Sequence, residues 1–199
     1  MTIAPDGRPL VGDLVRLDRF VASDIDQLYA AIDDDRVYAA GFGGGPAGRP
    51  ADAEQMLERW TKLRTAYVVR LAKDSELGAE GTVVGTTSLG DVDLANERVH
   101  LGWTGYAPAV WGTAVNPSCK LLMLQHAFED CGFNRVKIQT SLVNTRSQAA
   151  IAKLGATREG VLRRHIKQPD GSWRDTVVFS ILSDEWPDVR KSLLARISD

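Results

Sequence analysis

The stretch Arg98-Val99-His100-Leu101-Gly102-Trp103-Thr104-Gly105-Tyr106-Ala107-Pro108-Ala109-Val110-Trp111-Gly112-Thr113-Ala114 decides how the chain is read. A short β-rich run ends in a proline and a small-residue loop, and an apolar helical pattern follows at once through Phe128. A strand, a tight loop and a helix N-terminus in that order make an anion cradle. The first N–H groups of a helix lack an intrahelical partner, and the macrodipole adds positive potential there. Small residues let a diphosphate approach those N–H groups closely. The pattern predicts a phosphate-bearing cofactor held by backbone, in a chain with no lysine-bearing P-loop.

Upstream, Tyr67–Ala72 and Thr82–Leu89 share the period-two pattern of Val99–Tyr106 and predict three consecutive strands, with turns around Gly78–Gly81 and Asp91–Glu97. Leu14–Phe20 suits a first strand. Ser23-Asp24-Ile25-Asp26 opens a helix with a serine N-cap, its buried stripe being Ile25, Leu28, Tyr29 and Ile32. Residues 41–50, GFGGGPAGRP, compose a mobile loop, and Pro50-Ala51-Asp52-Ala53-Glu54 starts a second helix with Met56, Leu57 and Trp60 on one face. Downstream come a helix Pro117–Asp130 with Leu121, Leu124, Gln125 and Phe128 at helical spacing, a strand Val136–Thr140, and a helix from Asn144 to Leu154 stopped by Gly155. Val161–Lys167 and Val177–Ile181 flank the turn Pro169-Asp170-Gly171-Ser172 as a hairpin, and Ser183-Asp184-Glu185-Trp186-Pro187 caps a last helix, Val189 to Ile197. The order predicts one mixed α/β domain over residues 1–199, with its core at about 14–182 and a C-terminal helix at 183–198.

Composition excludes several classes. A chain of 199 residues can bury a full core, and 44% hydrophobic with 25% charged residues is ordinary for a globular protein. A net charge of −2 gives no bulk attraction to nucleic acid, and no apolar run is long enough for a membrane span. The N-terminus lacks the pattern of a signal peptide, and the two cysteines, Cys119 and Cys131, are expected as free thiols in a cytoplasmic protein. No metal is expected.

With these motifs in order, the chain resembles the GNAT superfamily of acetyl-CoA-dependent N-acetyltransferases, over roughly Leu14 to Ile181, and within it the RimJ/RimL-type ribosomal-protein N-terminal acetyltransferases. Trp111-Gly112-Thr113-Ala114 is similar to the family's pyrophosphate loop. Asn144-x-x-Ser147, followed by Lys153-Leu154-Gly155-Ala156, is similar to its Asn-x-x-Ser helix. Gly160-Val161-Leu162-Arg163-Arg164-His165 with Arg174-Asp175 is similar to its closing hairpin. The resemblance implies a single-domain GNAT (acyl-CoA N-acyltransferase) fold, a mixed, largely antiparallel sheet flanked by helices and splayed between strands 4 and 5. Three positions depart from it: Ala109 replaces the loop's Arg or Gln, Ile151 the frequent tyrosine acid, and His100 the strand-four glutamate of many members.

The same resemblance implies acetyl-CoA as cofactor. Val110, Trp111, Gly112, Thr113, Ala114 and Val115 would hold the diphosphate, Asn144 the pantetheine, and a backbone N–H near Trp103 or Thr104 the developing oxyanion, with a bulge near Gly105 opening the strand. His100 is the candidate base, acting directly or through water with a histidine's near-neutral pKa, or else a solvent-facing or hydrogen-bonded strand histidine; Glu97 and Asp91 on the preceding turn are its rivals, or else solvated loop charges. Ser147 and Tyr106 are candidate donors to the departing thiolate, or respectively a first-turn helix serine and a packing aromatic. Phe42, Trp60, Trp103 and Trp173 are candidate walls of an acceptor pocket. His165 would touch the acceptor, or pair with Asp175 across the hairpin, and His126 is structural. The acceptor would be a protein N-terminal α-amine or a small amine. The alternatives are an acyl-CoA-binding GNAT-fold domain with weak or lost catalysis and, in another class, a nucleotide-binding or purely interacting protein. Many relatives of this kind are homodimers, but no residue pattern here decides the oligomeric state.

Overall fold

The period-two segments become three antiparallel strands, β3 (Arg64–Leu71), β4 (Val83–Asp93) and β5 (Arg98–Tyr106). In the computed structural model, which describes residues 1–60, 64–168 and 170–198, these strands form the middle of an eight-stranded sheet. β1 (Leu10–Val11) and β2 (Val15–Arg19) extend one side; β6 (Arg135–Ser141), β7 (Thr157–Lys167) and β8 (Trp173–Leu182) extend the other. The order is β1-β2-β3-β4-β5-β6-β8-β7, and only β5 and β6 are parallel neighbours.

Helices cover both faces. On one side α1 (Ile25–Ile32), the short α2 (Asp35–Ala39) and α3 (Ala53–Trp60) bury Leu28, Ile32, Tyr38, Met56 and Trp60 against Val68 and Val83. On the other, α4 (Val115–Gln125), α5 (Thr145–Ala152) and α6 (Trp186–Ser198) bury Cys119, Met123, Leu124, Ile151 and Leu193 against Leu17, Val69, Leu101, Val136 and Ile181. Both cysteines are buried and free.

Two features of β5 shape the rest. It pairs with β6 only at Arg98–Arg135, Val99–Val136 and His100–Lys137, although the strands run on to Tyr106 and Ser141. Beyond His100 the sheet is therefore splayed where the resemblance places the opening, since these are the fourth and fifth strands if the two-residue β1 is not counted. The second feature is a bulge. Ser88 pairs with Gly102 and Thr86 with Gly105, so Thr87 stands opposite both Trp103 and Thr104, and Trp103 takes the left-handed φ of 49°. The bulge at Trp103 and Thr104 lies next to Gly105, as expected. Gly105 serves another purpose: a Cβ there would fall 2.7 Å from the Phe42 ring.

Other expectations are corrected. Ser23 does not cap α1: it lies inside a short 3-10 turn, Ala22–Asp24, and the N-cap position falls to Asp24, whose carboxylate bonds not to α1 but back to the Val21 N–H at 3.0 Å and to Arg70 at 2.7 Å. The glycine-rich segment is a loop, as expected, and it contains two tight turns, Phe42–Gly44 and Pro46–Gly48. They are pinned by ion pairs from Arg49 to Asp33 (2.8 Å) and Asp35, and by Gln168 donating to the Gly44 carbonyl at 3.2 Å. α4 begins at Val115, two residues before Pro117, and the last turn of the expected helix widens to π geometry over His126–Asp130. Pro169 of the expected hairpin turn lies outside the described residues; Gly171 supplies its positive φ of 82°.

The crossing of β4 and β5 at the bulge is tight at Gly85, where a Cβ would fall 2.3 Å from the Gly105 carbonyl oxygen and 2.9 Å from the Tyr106 Cα. Gly85→Ala should lower stability in urea by about 2 kcal/mol or more, the range of backbone-displacing substitutions. Gly160→Ala, on β7 with nothing within 4 Å, should stay within about 0.5 kcal/mol. Equal midpoints for the two variants would remove the constraint.

Candidate functional site

The small-residue loop folds on itself. Trp111 donates its indole N–H to the Tyr106 carbonyl at 2.9 Å, and the Thr113 hydroxyl donates to the Val110 carbonyl at 2.8 Å while accepting from the Val115 N–H at 3.3 Å. Val110 and Val115 anchor the loop in the core. Among the described residues nothing accepts from the N–H groups of Gly112, Ala114 or Asn116. Gly112 has φ 80°, with nothing within 4 Å of where its Cβ would sit. Unpaired donors around open space at a helix start fit a diphosphate. The fit rests on backbone, because Ala109 contributes no charge. Across from the loop, the Arg146 guanidinium lies 3.7 Å from the Trp111 ring centroid. Asn144 caps α5, its Oδ1 accepting from the Ser147 N–H at 2.9 Å, and its amide donates to the Ala40 carbonyl. Ser147 is thus placed at the cap by its backbone, with its side chain half-buried at the start of α5.

The bulge divides β5 between two environments. Before it, Val99 and Leu101 face the α4 side; after it, Thr104 and Tyr106 do. Thr104 Oγ1 lies 2.9 Å from the Thr87 hydroxyl and accepts from Lys120 Nζ at 3.0 Å. Lys120, which the sequence did not single out, is buried on α4, and burial pulls its pKa down to about 8. No carboxylate among the described residues pairs with it. Tyr106, expected as a proton donor, is corrected. Its hydroxyl is buried beside the Cys119 thiol, and burial pushes its pKa well above 10, which makes it a weaker acid than an ordinary tyrosine.

On the opposite face the structure gathers His100, Trp103, Phe42 and Trp60. The imidazole lies over Gly102, 4.6 Å from the Trp103 ring, and is almost fully buried. Its Nδ1 is 3.2 Å from Asp91 Oδ2, off the line of a hydrogen bond. Burial and then Lys137 lower its pKa to about 4, outweighing Asp91. The expected near-neutral titration of His100 is therefore corrected: it is a neutral ring and a weak base. Burial alone would raise the Asp91 carboxyl, but Lys137, 2.9 Å away, and His100 hold it below the usual range. Glu97 is a turn residue whose carbonyl accepts from Asn134 and Arg135 and whose carboxylate binds the Asn134 amide. Phe42 packs 6.1 Å from Trp60 and beneath Gly105.

Arg64 joins this group without a signal in the sequence: its guanidinium carbon sits 4.7 Å from the Trp60 ring and 5.0 Å from that of Trp103. Trp173 is 52% exposed near the hairpin tip and walls nothing here. His165 does not pair with Asp175. Its Nδ1 is 3.1 Å from the Thr176 hydroxyl, while Asp175 accepts from the Arg164 N–H at 2.7 Å, because the hairpin bulges between Leu162 and Ile166. His165 lines a groove of about 350 Å³ with Lys137 and Gln139. His126 binds Asp130 at 2.8 Å inside the π turn and is structural. Among the described residues no helix is long and apolar enough to cross a membrane, and no three metal-ligating side chains converge.

Known proteins resemble the chain at the level of family and fold. The family described as Acetyltransferase (GNAT) domain matches residues 15–157. The Bacillus subtilis (strain 168) protein named "Putative ribosomal N-acetyltransferase YdaF" is 26% identical over 145 residues, covering 73% of this chain and 76% of that protein. The FsC-acetyl coenzyme A-N(2)-transacetylase of Aspergillus fumigatus is 28% identical over 158 residues, covering 75% of this chain and 67% of its own. Among solved structures, Mycobacterium smegmatis RimJ in complex with CoA-disulfide shares the fold at a TM-score of 0.69 and 21% identity, covering 94% of this chain and 91% of that one.

The buried Lys120 gives a stability signature. Its folded pKa of about 8 lies below its ordinary 10.5, so the folded state carries the full cost of the buried ammonium below pH 8. That cost is relieved as pH rises from 8 to 10.5, because there the unfolded chain binds the extra proton. The shift corresponds to about 3 kcal/mol. Urea midpoints should therefore show Lys120→Met more stable than the wild type at pH 7, with the gap narrowing towards pH 10.5. A pH-independent gap would show that Lys120 is not a buried cation.

Proposed function

The chain belongs to the GNAT family of acetyl-CoA-dependent acetyltransferases, and on that premise we propose that it is an N-acetyltransferase moving the acetyl group of acetyl-CoA to a primary amine by direct attack within a ternary complex. The acceptor is a protein N-terminal α-amine or a small amine, and the compartment is the cytoplasm. One observation carries the proposal: the free edge of β5 beyond His100 leads from a bulged strand to the unpaired N–H groups at Gly112, Ala114 and Asn116. That edge and that cradle stand end to end, as a long thioester with a diphosphate requires.

When bound, acetyl-CoA supplies an activated acyl group and a good leaving thiolate. The chain's residues supply the rest. The Gly112 loop holds the diphosphate, and the Asn144 side chain is the contact for the pantetheine arm. The N–H of Trp103 or Thr104 at the bulge stabilises negative charge on the acyl oxygen, which costs no reorganisation because the backbone is already fixed. The amine enters from the face of Trp103, Phe42 and Trp60. His100 accepts a hydrogen bond from it and positions it; with a pKa of about 4 it does not hold the proton, which passes to water. Ile151 has no proton to give the thiolate, so the Ser147 hydroxyl at the start of α5 is the donor. His165 contacts the outer part of a longer acceptor, whereas Asp175 acts only by fixing the hairpin backbone.

An acceptor screen with acetyl-CoA that reads free thiol release tests the activity; no release with any amine, from protein that binds acetyl-CoA in calorimetry, would favour a binding domain. Gly112→Ala puts a methyl group into the open space of the cradle and should weaken CoA at least tenfold, about 1.4 kcal/mol, with the circular dichroism of the fold unchanged. The rising limb of kcat/KM with pH should track the pKa of the acceptor amine, shifting when a more basic acceptor is used. His100→Gln should cost about tenfold, the order of one hydrogen bond, and leave that limb in place. A loss of a hundredfold or more, with a limb near pH 6–7 abolished, would make His100 the base.

A further inference from the structure

We propose that Arg64, clasped by the indoles of Trp60 and Trp103, is a carboxylate-recognition site, and that the acceptor amine is carried by a short peptide or protein N-terminus with a carboxylate one or two residues away. This deepens the acetyltransferase proposal and rests on it for the identity of the amine. The observations concern place, charge and space.

Arg64 opens β3 opposite Gly90 of β4. The Trp103 ring reaches it only because Gly90 has no side chain: a Cβ there would lie 2.8 Å from the indole and 3.1 Å from the Arg64 Cβ. The residue that makes the bulge in β5 therefore lays its ring across β4 and onto the guanidinium, 5.0 Å from ring centroid to Cζ. Trp60 closes the other side at 4.7 Å. The clasp and the reacting edge are physically one piece.

The charge is unanswered. Arg49, Arg70 and Arg135 each bind an acid, Asp33, Asp24 and Glu159 respectively. Arg64 has no carboxylate partner among the described residues, and its Nε is buried without a hydrogen bond. Burial alone acts on it, pulling its pKa down to about 10. Two indole faces offset part of the desolvation, but they leave the planar N–H fork free, and that fork matches a carboxylate in two parallel bonds. Beside it is a cavity of about 130 Å³ whose described lining is Arg19, Phe20, Trp60, Arg64 and Ala66, with two cations and no acid among those described residues.

Length selects the ligand. β3 and β5 are two strand spacings apart, about 10 Å. The carboxylate of a free α-amino acid sits next to its own amine and falls short. An extended chain advances about 3.3–3.6 Å per residue, so an acidic side chain at the second or third position, or the C-terminus of a di- or tripeptide, spans the gap.

The test separates binding from catalysis. Tryptophan fluorescence of the full chain is titrated with N-acetyl-Ala-Glu-amide and its Gln analogue, neither of which can be acetylated. The Glu peptide should bind at least tenfold more tightly, about 1.4 kcal/mol, and Arg64→Gln should remove the difference. Arg64→Lys, which keeps charge but loses the fork, should retain only part of it and covers the case in which the Gln variant unfolds. Thiol release with acetyl-CoA then compares Ala-Glu-Ala-amide, Ala-Gln-Ala-amide, Ala-Ala with a free C-terminus and Ala-Ala-amide. Preference for the first over the second assigns an acidic side chain, and for the third over the fourth a C-terminus. Equal binding of the Glu and Gln peptides overturns the carboxylate site whatever the activity. Selective binding with no thiol release from any amine keeps the site and overturns the acetyltransferase proposal.

Discussion

A single left-handed residue sets the geometry on which the site depends. Trp103, at φ 49°, is a bulky residue in a region that costs roughly 1–2 kcal/mol for anything but glycine. It inserts one extra position into β5 and reverses which side chains face which layer. Thr104 and Tyr106 turn towards α4, where Lys120 meets Thr104. The Trp103 ring turns to the other face, between His100 and Arg64. Without the bulge, strict alternation would send the residues after it to the opposite layers. The glycines nearby make room for this choice. Gly90 lets the Trp103 indole cross β4, Gly102 receives the His100 ring, and Gly105 receives Phe42.

Much of the fold was legible because it is written in local periodicity. The long strands and α1, α3, α4, α5 and α6 follow from period two, period 3.6 and their punctuation. What escaped depends on partners far away in sequence. The five-residue α2 and the compact turns at 42–48 are too short to show a period, and they are held by Arg49 reaching back to Asp33 and Asp35. Composition alone made that segment a mobile loop. The bulge falls beside Gly105 as expected, yet the strained position is a tryptophan, which no propensity would select.

The candidate site divides along the same line. The cradle at residues 110–116 was legible because strand, small residues and helix start are contiguous. The acceptor face was only half legible: its aromatics stood out, but Arg64 gave no sign until three strands came together. Lys120 did carry a signal. With Leu124 and Ala127 it repeats at i, i+4 and i+7, which puts it on the buried stripe of α4. A lysine among apolar residues is easily taken for the solvated side of a helix. His100 was found by position but misjudged in character, because its pKa is set by burial and by Lys137 from the neighbouring strand.

That misjudgement points to how the site works. In the proposed site His100 is an internal probe of the acceptor face: an imidazolium there is disfavoured enough to bring the pKa to about 4, by burial and by Lys137 nearby. In the proposed complex, an ammonium brought beside it would meet the same burial, which disfavours its charge, with Lys137 and Asp91 acting in opposite directions. The acceptor would then reach the bulge as the free amine, which is the form that can attack. In the proposed mechanism a strong general base would not be needed where the environment favours the neutral nucleophile, and that would account for a histidine at the position where the resemblance implies a glutamate. The unpaired Arg64 is consistent with that field. A carboxylate elsewhere on the acceptor can be held by a fixed cation at a distance, while the amine stays in the part of the site that rejects positive charge.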